Sequence, residues 1–410
     1  MRGTLLYIKL AWRNLLRNKR RTIIAGTAIG MGLAALVFTD ALMIGMNNHL
    51  VHSGTASFMG EAQIHREGYR KTLDIDLTIN DLDGVVSTLE ASPIVERFTS
   101  RVRSFAMIAS PANNEGVALF GIHPQTERYM SQIDDVIVQG EYFAGGDRDI
   151  VIGSKLAELL EVGLGDRVVV TVAQAHTGDL SQELFRVSGI YHFNINELDR
   201  SMAFIPLSKA QKLLALDGSV HEIAFKFTDA KLAMNKHLPL WKELSQGGNE
   251  AVGWPTLLPQ LSAAMDLTNF SLLIVALVLF AVVSLGIVNT LFMSLYERMF
   301  EFGVLRAIGT HPWGIFRLVL GEAGALSVVS ILLGMIISAV ILAFVSRSGI
   351  DYTGIEYAGV TFTENIYPVV RVMQFIKYPL WVFLITTVVG LYPATYAARL
   401  TPARAMRKSF

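Results

Sequence analysis

The residues best placed to do chemistry are the thirteen of Glu297–Gly309, ERMFEFGVLRAIG. They set Glu297, Arg298, Glu301 and Arg306 among the apolar Phe302 and Leu305. On a helix, Glu301 and Arg306 are separated by about 500° of turn, so they point about 140° apart. They can meet two sides of a groove but not each other. Phe302 and Leu305 fall near one face and can plug an apolar pocket, as interface anchors do. Gly303 and Gly309 permit close backbone approach, and Gly309 can end the helix as its C′ residue. Pro312 stops continuation, and Trp313 can sit at a membrane interface. This is the chemistry of docking, not of bond cleavage. Other candidates are thin. His49 and His52 have a metal-compatible spacing but no third ligand nearby. There is no G-x-x-x-x-G-K-[ST], H-E-x-x-H or G-x-S-x-G. Gly163-Leu164-Gly165 reads as a turn into a strand, with no helix behind it to hold phosphate. The absence of cysteine excludes disulfides and thiolate sites. No catalytic residue and no metal ligand is assigned.

The elements that carry this stretch are apolar. The 410 residues are 52% hydrophobic and only 17% charged, with a mean hydropathy of +0.42. Four runs reach the roughly 20 residues that cross about 30 Å of hydrocarbon as a helix. The expected order is an amphipathic helix at 1–21 and span 1 at 22–47. An α+β domain follows at 48–266, then span 2 at 267–292 and a charged loop at 293–317. Span 3 at 318–345, a short loop at 346–374, span 4 at 375–397 and a tail at 398–410 complete it. The first apolar run is too long for a signal peptide and lacks a small-x-small cleavage site, so it is read as an uncleaved span. Arg and Lys crowd 2–21, 298–317 and 399–408. The positive-inside rule therefore places both termini and the 293–317 loop in the cytoplasm, and 48–266 and 346–374 outside. Zero net charge implies no bulk attraction to nucleic acid.

Around span 1, Leu5, Ile8, Trp12 and Leu15 fall at helical spacing among Lys9, Arg13, Arg17 and Arg20. That pattern predicts an interfacial helix anchored by Trp12. Asp40 and Glu322 lie near the ends of spans 1 and 3, where snorkelling or a helix–helix hydrogen bond costs little. In the outer domain, 118–122, 149–152, 167–173, 183–191, 203–205 and 223–227 read as strands. Residues 154–160 and 207–216 read as helices, the second with Ser208 as N-cap. Residues 61–108 read as a second mixed α/β piece.

Four features together resemble the permeases of the MacB/LolC-LolE/FtsX group of ABC transporters. They are LAWRNLLRNKRRT before span 1, the 297–309 stretch, the ending YPATYAARLTPARAM, and an outer-domain set. That set is GIHP (121–124), VIGSKLAELLEVGLGDRV (151–168) and VSGIY…LDRSMAFIPLSKAQKLL (187–214), and it is most similar to the lipoprotein-releasing branch. The resemblance implies a membrane α-helical fold of four spans, with a large α+β extracytoplasmic domain between spans 1 and 2. It implies a non-catalytic inner-membrane subunit that binds no cofactor. ATP and Mg²⁺ would sit on a separate cytoplasmic ATPase dimer. A second permease, a lipoprotein or lipid substrate and a periplasmic carrier or adaptor would be further partners.

The mechanism implied is type VII mechanotransmission. The loop between spans 2 and 3 acts as a coupling helix, with Glu297, Arg298, Glu301, Phe302, Gly303, Leu305, Arg306 and Gly309 as its contacts. Lipoproteins are drawn from the outer leaflet past a lateral gate, for which Leu42, Met43, Met46, Leu267 and Phe270 are the candidates. Two departures stand out. Phe300 replaces the family's Arg, and the connection 176–182 is short where the LolC type has a proline-bearing protrusion that holds the carrier. The alternatives are MacB-like efflux of periplasmic peptides or toxins and an FtsX-like scaffold controlling a periplasmic hydrolase.

Overall fold

The computed structural model describes residues 9–14, 17–193, 196–357, 360–362 and 364–401. Part of the expected 1–21 helix and most of the 398–410 tail lie outside the described residues. The chain forms two compact units: residues 50–264 with 354–362, and the remainder, which holds the spans.

Among the described residues, four helices are long and apolar enough to cross a membrane. They are Lys19–Gly54, Pro259–Glu297, Pro312–Ser348 and Gln374–Ala398. The first three have 36, 39 and 37 residues. At 1.5 Å per residue each is more than about 50 Å long, so each outruns the hydrocarbon. Spans 1 and 3 cross closely because their contact faces are small. A Cβ on Gly30 would come within 2.9 Å of the Gly334 nitrogen and 3.0 Å of the Ser330 oxygen. Close approach through small residues is how helices associate where lipid removes the hydrophobic drive. Asp40 does not snorkel alone: its Oδ2 accepts a 2.8 Å hydrogen bond from Gln374 Nε2.

The other unit is built on one ten-stranded mixed sheet. Its strands are β1 Ala62–Arg66, β2 Val95–Ala109, β3 Asn114–Ile122, β4 Ile137–Gly140 and β5 Asp149–Gly153. They continue as β6 Arg167–Ala173, β7 Leu180–Tyr191, β8 Met202–Pro206, β9 Glu222–Phe227 and β10 Asn249–Gly253. The order is β10-β1-β9-β2-β3-β8-β5-β7-β4, with β6 between β2 and β7. The 61–108 region is therefore not a second piece. Its strand β2 pairs with β9 through its first half and with β3 and β6 through its second. The helix after β8 starts at Leu207, because Pro206 takes the N-cap position. Ser208 is thus already inside the first turn and caps nothing. Helix 207–213 lies on β3 so tightly that a Cβ on Gly121 would fall 2.2 Å from that of Ala210.

The span 1 helix gives way to a π turn, Thr55–Met59, closed by Gly60 at φ 76°. Phe58 of this turn packs on Phe120 and Phe204 and under the Arg101 guanidinium. Arg101 is fully buried. It donates to Glu127 at 2.9 and 2.6 Å and to Glu222 at 2.7 Å, and His65 lies 3.4 Å from the other Glu222 oxygen. Burial alone would raise the Glu222 carboxyl. The His65 hydrogen bond and the Arg101 charge outweigh it and hold the group at about 2. The His65, Tyr69 and His221 rings stack in sequence. Burial lowers the His221 imidazole, although its bond to the Ile75 carbonyl partly opposes this.

Candidate docking helix

Span 2 ends at Glu297, and Arg298 leaves helical geometry at φ −112°, ψ 15°. The chain then re-enters a helix at Met299–Ala307. The break is held by charge. Arg298 is buried and donates to Glu322 of span 3 at 2.6 Å and to Glu301 at 2.9 Å. Burial opposes the Arg298 charge, but the nearby Glu322 and Glu301 carboxylates more than compensate, so its pKa is raised. Partial burial likewise opposes the Glu301 charge, and the hydrogen bonds from Arg298 and Arg17 reverse that, so its carboxyl is lowered. Glu322 thus holds a buried ion pair and does not reach out to a membrane surface.

The helix ends as a Schellman motif. The Thr310 N–H donates to Leu305 O at 2.9 Å and the Gly309 N–H to Arg306 O at 3.2 Å, with Gly309 at φ 97°. Pro312 then opens span 3 at its first turn, capped by His311.

This geometry sorts the eight expected docking residues. Phe302 is 1% exposed and lies with Met299 in a core formed by Leu295, Ile315, Val319 and Ala394, against which Leu305 also packs. Phe302 and Leu305 therefore anchor the helix to its own spans and are not the plug for a partner. Gly303 is buried too. Arg298 faces inward, and the half-buried Arg306 donates to Thr310 O at 3.2 Å. Glu297 and Glu301 are exposed but already paired, with Arg21 at 2.5 Å and Arg17 at 2.9 Å. What the helix turns outward is a stripe of Phe300, Val304 and Ile308, at 52%, 39% and 75% exposure. Their i, i+4, i+8 spacing is visible in the sequence, but a second apolar set on the same helix competes with it. Of the gate candidates, Leu42, Met43 and Met46 are half-buried, whereas Leu267 and Phe270 are exposed.

One arrangement in the sheet unit has the residue types of a hydrolase. Ser154 Oγ and Asp199 Oδ2 both meet the same nitrogen of His192, Nδ1, at 2.9 and 2.8 Å. A relay needs them on opposite nitrogens, so this trio cannot activate the serine.

The sequence matches two family profiles. That of the MacB-like periplasmic core domain covers residues 22–234, and that of the FtsX-like permease C-terminal family covers residues 273–402. The chain belongs to the MacB/FtsX group of permeases. Among this permease's relatives is the lipoprotein-releasing system transmembrane protein LolC of Xylella fastidiosa (strain Temecula1 / ATCC 700964). The two are 22% identical, over 92% of each chain. LolC of Neisseria meningitidis serogroup B is 23% identical over 97% of this chain and 98% of its own. The macrolide export ATP-binding/permease protein MacB of Campylobacter jejuni is 24% identical over 98% of this chain and 61% of its own. The permease is thus a multi-pass membrane protein of the ABC transporter type, with its α+β domain between the first two spans.

Proposed function

We propose that this permease is the membrane subunit of an ATP-driven transporter that extracts lipoproteins or lipids from the outer leaflet of the inner membrane. Both termini and the helix Met299–Ala307 face the cytoplasm, where an ATPase docks. The observation that carries this reading is the outward stripe of Phe300, Val304 and Ile308 on a helix rigidly fixed between two spans. An exposed apolar stripe on a loop read as cytoplasmic suits a binding surface, and the buried Arg298–Glu322 pair behind it would pass load to span 3. Phe300, at the position where the resembled family motif has Arg, makes this contact apolar. The lipoprotein-releasing branch is favoured by the LolC relatives, which align along nearly the whole chain. The exposed Leu267 and Phe270 suit an acyl chain approaching from the bilayer.

The hairpin between β6 and β7 bears on hand-over. It is tied down: the His176 N–H donates to Asp76 Oδ1 at 2.7 Å, and the Ala175 N–H to Leu214 O at 2.9 Å. A carrier that takes cargo from this permease therefore docks on the body of the domain and not on a protruding arm. The docking helix is tested by purifying the tagged full chain from native membranes. Phe300→Asp or Ile308→Asp should cost the ATPase contact about 2 kcal/mol or more, roughly 30-fold in affinity, and remove the ATPase from the complex. Undiminished co-purification in both variants would refute the site.

A further inference from the structure

The docking helix has a second contact, with the chain's own N-terminal segment. Asn14 Nδ2 donates to Glu322 Oε1 at 2.7 Å, and Arg17 Nη2 to Glu301 Oε1 at 2.9 Å. Asn18 Nδ2 and Arg21 Nη1 both donate to Glu297 Oε2, at 3.3 and 2.5 Å. Ala11 is buried beside span 3, where Gly321 leaves room: a Cβ there would lie 3.3 Å from that of Ala11. The side chains of Asn14, Arg17, Asn18 and Arg21 thus meet carboxylates on span 3, on the docking helix and at the end of span 2. Arg13, Lys19 and Arg20 are exposed, and Arg17 keeps 57% of its side chain exposed while bound to Glu301. A segment serving only as a basic topology signal would have no need of four side-chain contacts to carboxylates.

The segment leads directly into span 1. Arg21 already belongs to the helix Lys19–Gly54, which runs unbroken to the π turn that opens β1. We propose that Arg17 and Arg21 are positioning residues that grip Glu301 and Glu297 and carry displacement of the docking helix into span 1. This rests on reading Met299–Ala307 as the ATPase site. Spans 2 and 3 receive the motion through the backbone and Arg298, and span 1 receives it through this ionic clamp. The helix that leads to the α+β domain is thereby driven from its cytoplasmic end.

The test uses the tagged full chain, purified with its bound ATPase and placed in lipid nanodiscs. The natural absence of cysteine lets spin labels be attached at Lys212→Cys and Arg399→Cys alone. The distance between them is read by electron resonance with and without ATP and Mg²⁺. The Arg17→Gln/Arg21→Gln variant should keep the ATPase bound and hydrolysing, while the ATP-dependent distance change falls about threefold or more. Arg17→Lys/Arg21→Lys, which preserves the charges, should recover most of it. A full distance change in the Gln variant, or no recovery in the Lys variant, overturns the inference. Loss of the ATPase from the Gln variant also overturns it, by making the pair part of docking. If no ATPase accompanies even the wild-type chain, the docking reading itself fails and the clamp falls with it.

Discussion

At the scale of single residues, the two buried ionic sites do different work. Arg298 and Glu322 pair where the 299–307 helix leaves span 2. Arg101 ties β2 to Glu127 and Glu222 beneath Phe58, where the span 1 helix turns into the sheet. Removing the cation by Arg101→Met leaves two carboxylates in the interior without a partner. We expect a loss of about 3–5 kcal/mol, read as a lower unfolding midpoint of the full chain in detergent. The neighbouring groups give the domain an acid limit. Glu222 is held at about 2 against an ordinary 4.5, and His221 lies below its ordinary 6.5. Both folded-state values are depressed, so both contributions are complete above the unfolded values. The His221 share fades as pH falls below 6.5, and the Glu222 share as pH falls from 4.5 toward 2. The thermal midpoint should therefore decline on acidification from pH 7 to pH 4, and a midpoint that rises over that range would contradict the cluster's role.

At the scale of elements, the spans were readable in the sequence because a run of about 20 apolar residues admits few other structures. Strands β3, β5, β6, β7, β8 and β9 were readable through alternation and β-branched content. β1, β2, β4 and β10 are not legible as strands, and the long β2, with Glu96, Arg97, Arg101 and Arg103, carries too much charge to look like a central strand. Its Arg101 is compatible with burial only because Glu127 and Glu222 come from elsewhere in the chain, which local pattern cannot reveal. The docking helix shows the same limit. Two apolar stripes compete for one helix, and tertiary packing chose Phe302 for the inside and Phe300 for the outside. The crossing of spans 1 and 3 makes a sharp mutational prediction. Gly30→Val must push backbone away at Gly334 and Ser330, and should destabilise by about 1–3 kcal/mol. Gly286→Ala, where nothing lies within 4 Å, should leave the midpoint unchanged or higher. Equal effects from the two would mean that the crossing is not close-packed.

At the scale of the whole molecule, one helix connects two kinds of structure. Residues 19–54 begin beside the charged 297–309 stretch and end in the turn that opens a ten-stranded sheet. The chain carries no P-loop, and the trio with hydrolase residue types is wired to one nitrogen. In the proposed function, energy arrives at the 299–307 helix from an ATP-hydrolysing partner. In that proposal the Phe300, Val304 and Ile308 stripe receives it. The most direct measurement is site-specific photo-cross-linking in native membranes, with a benzophenone amino acid at Ile308 and a control at the exposed Val340 within span 3. We expect Ile308 to capture an ATP-hydrolysing protein and Val340 to capture lipid or another span. Capture of lipid alone at Ile308 would contradict the account.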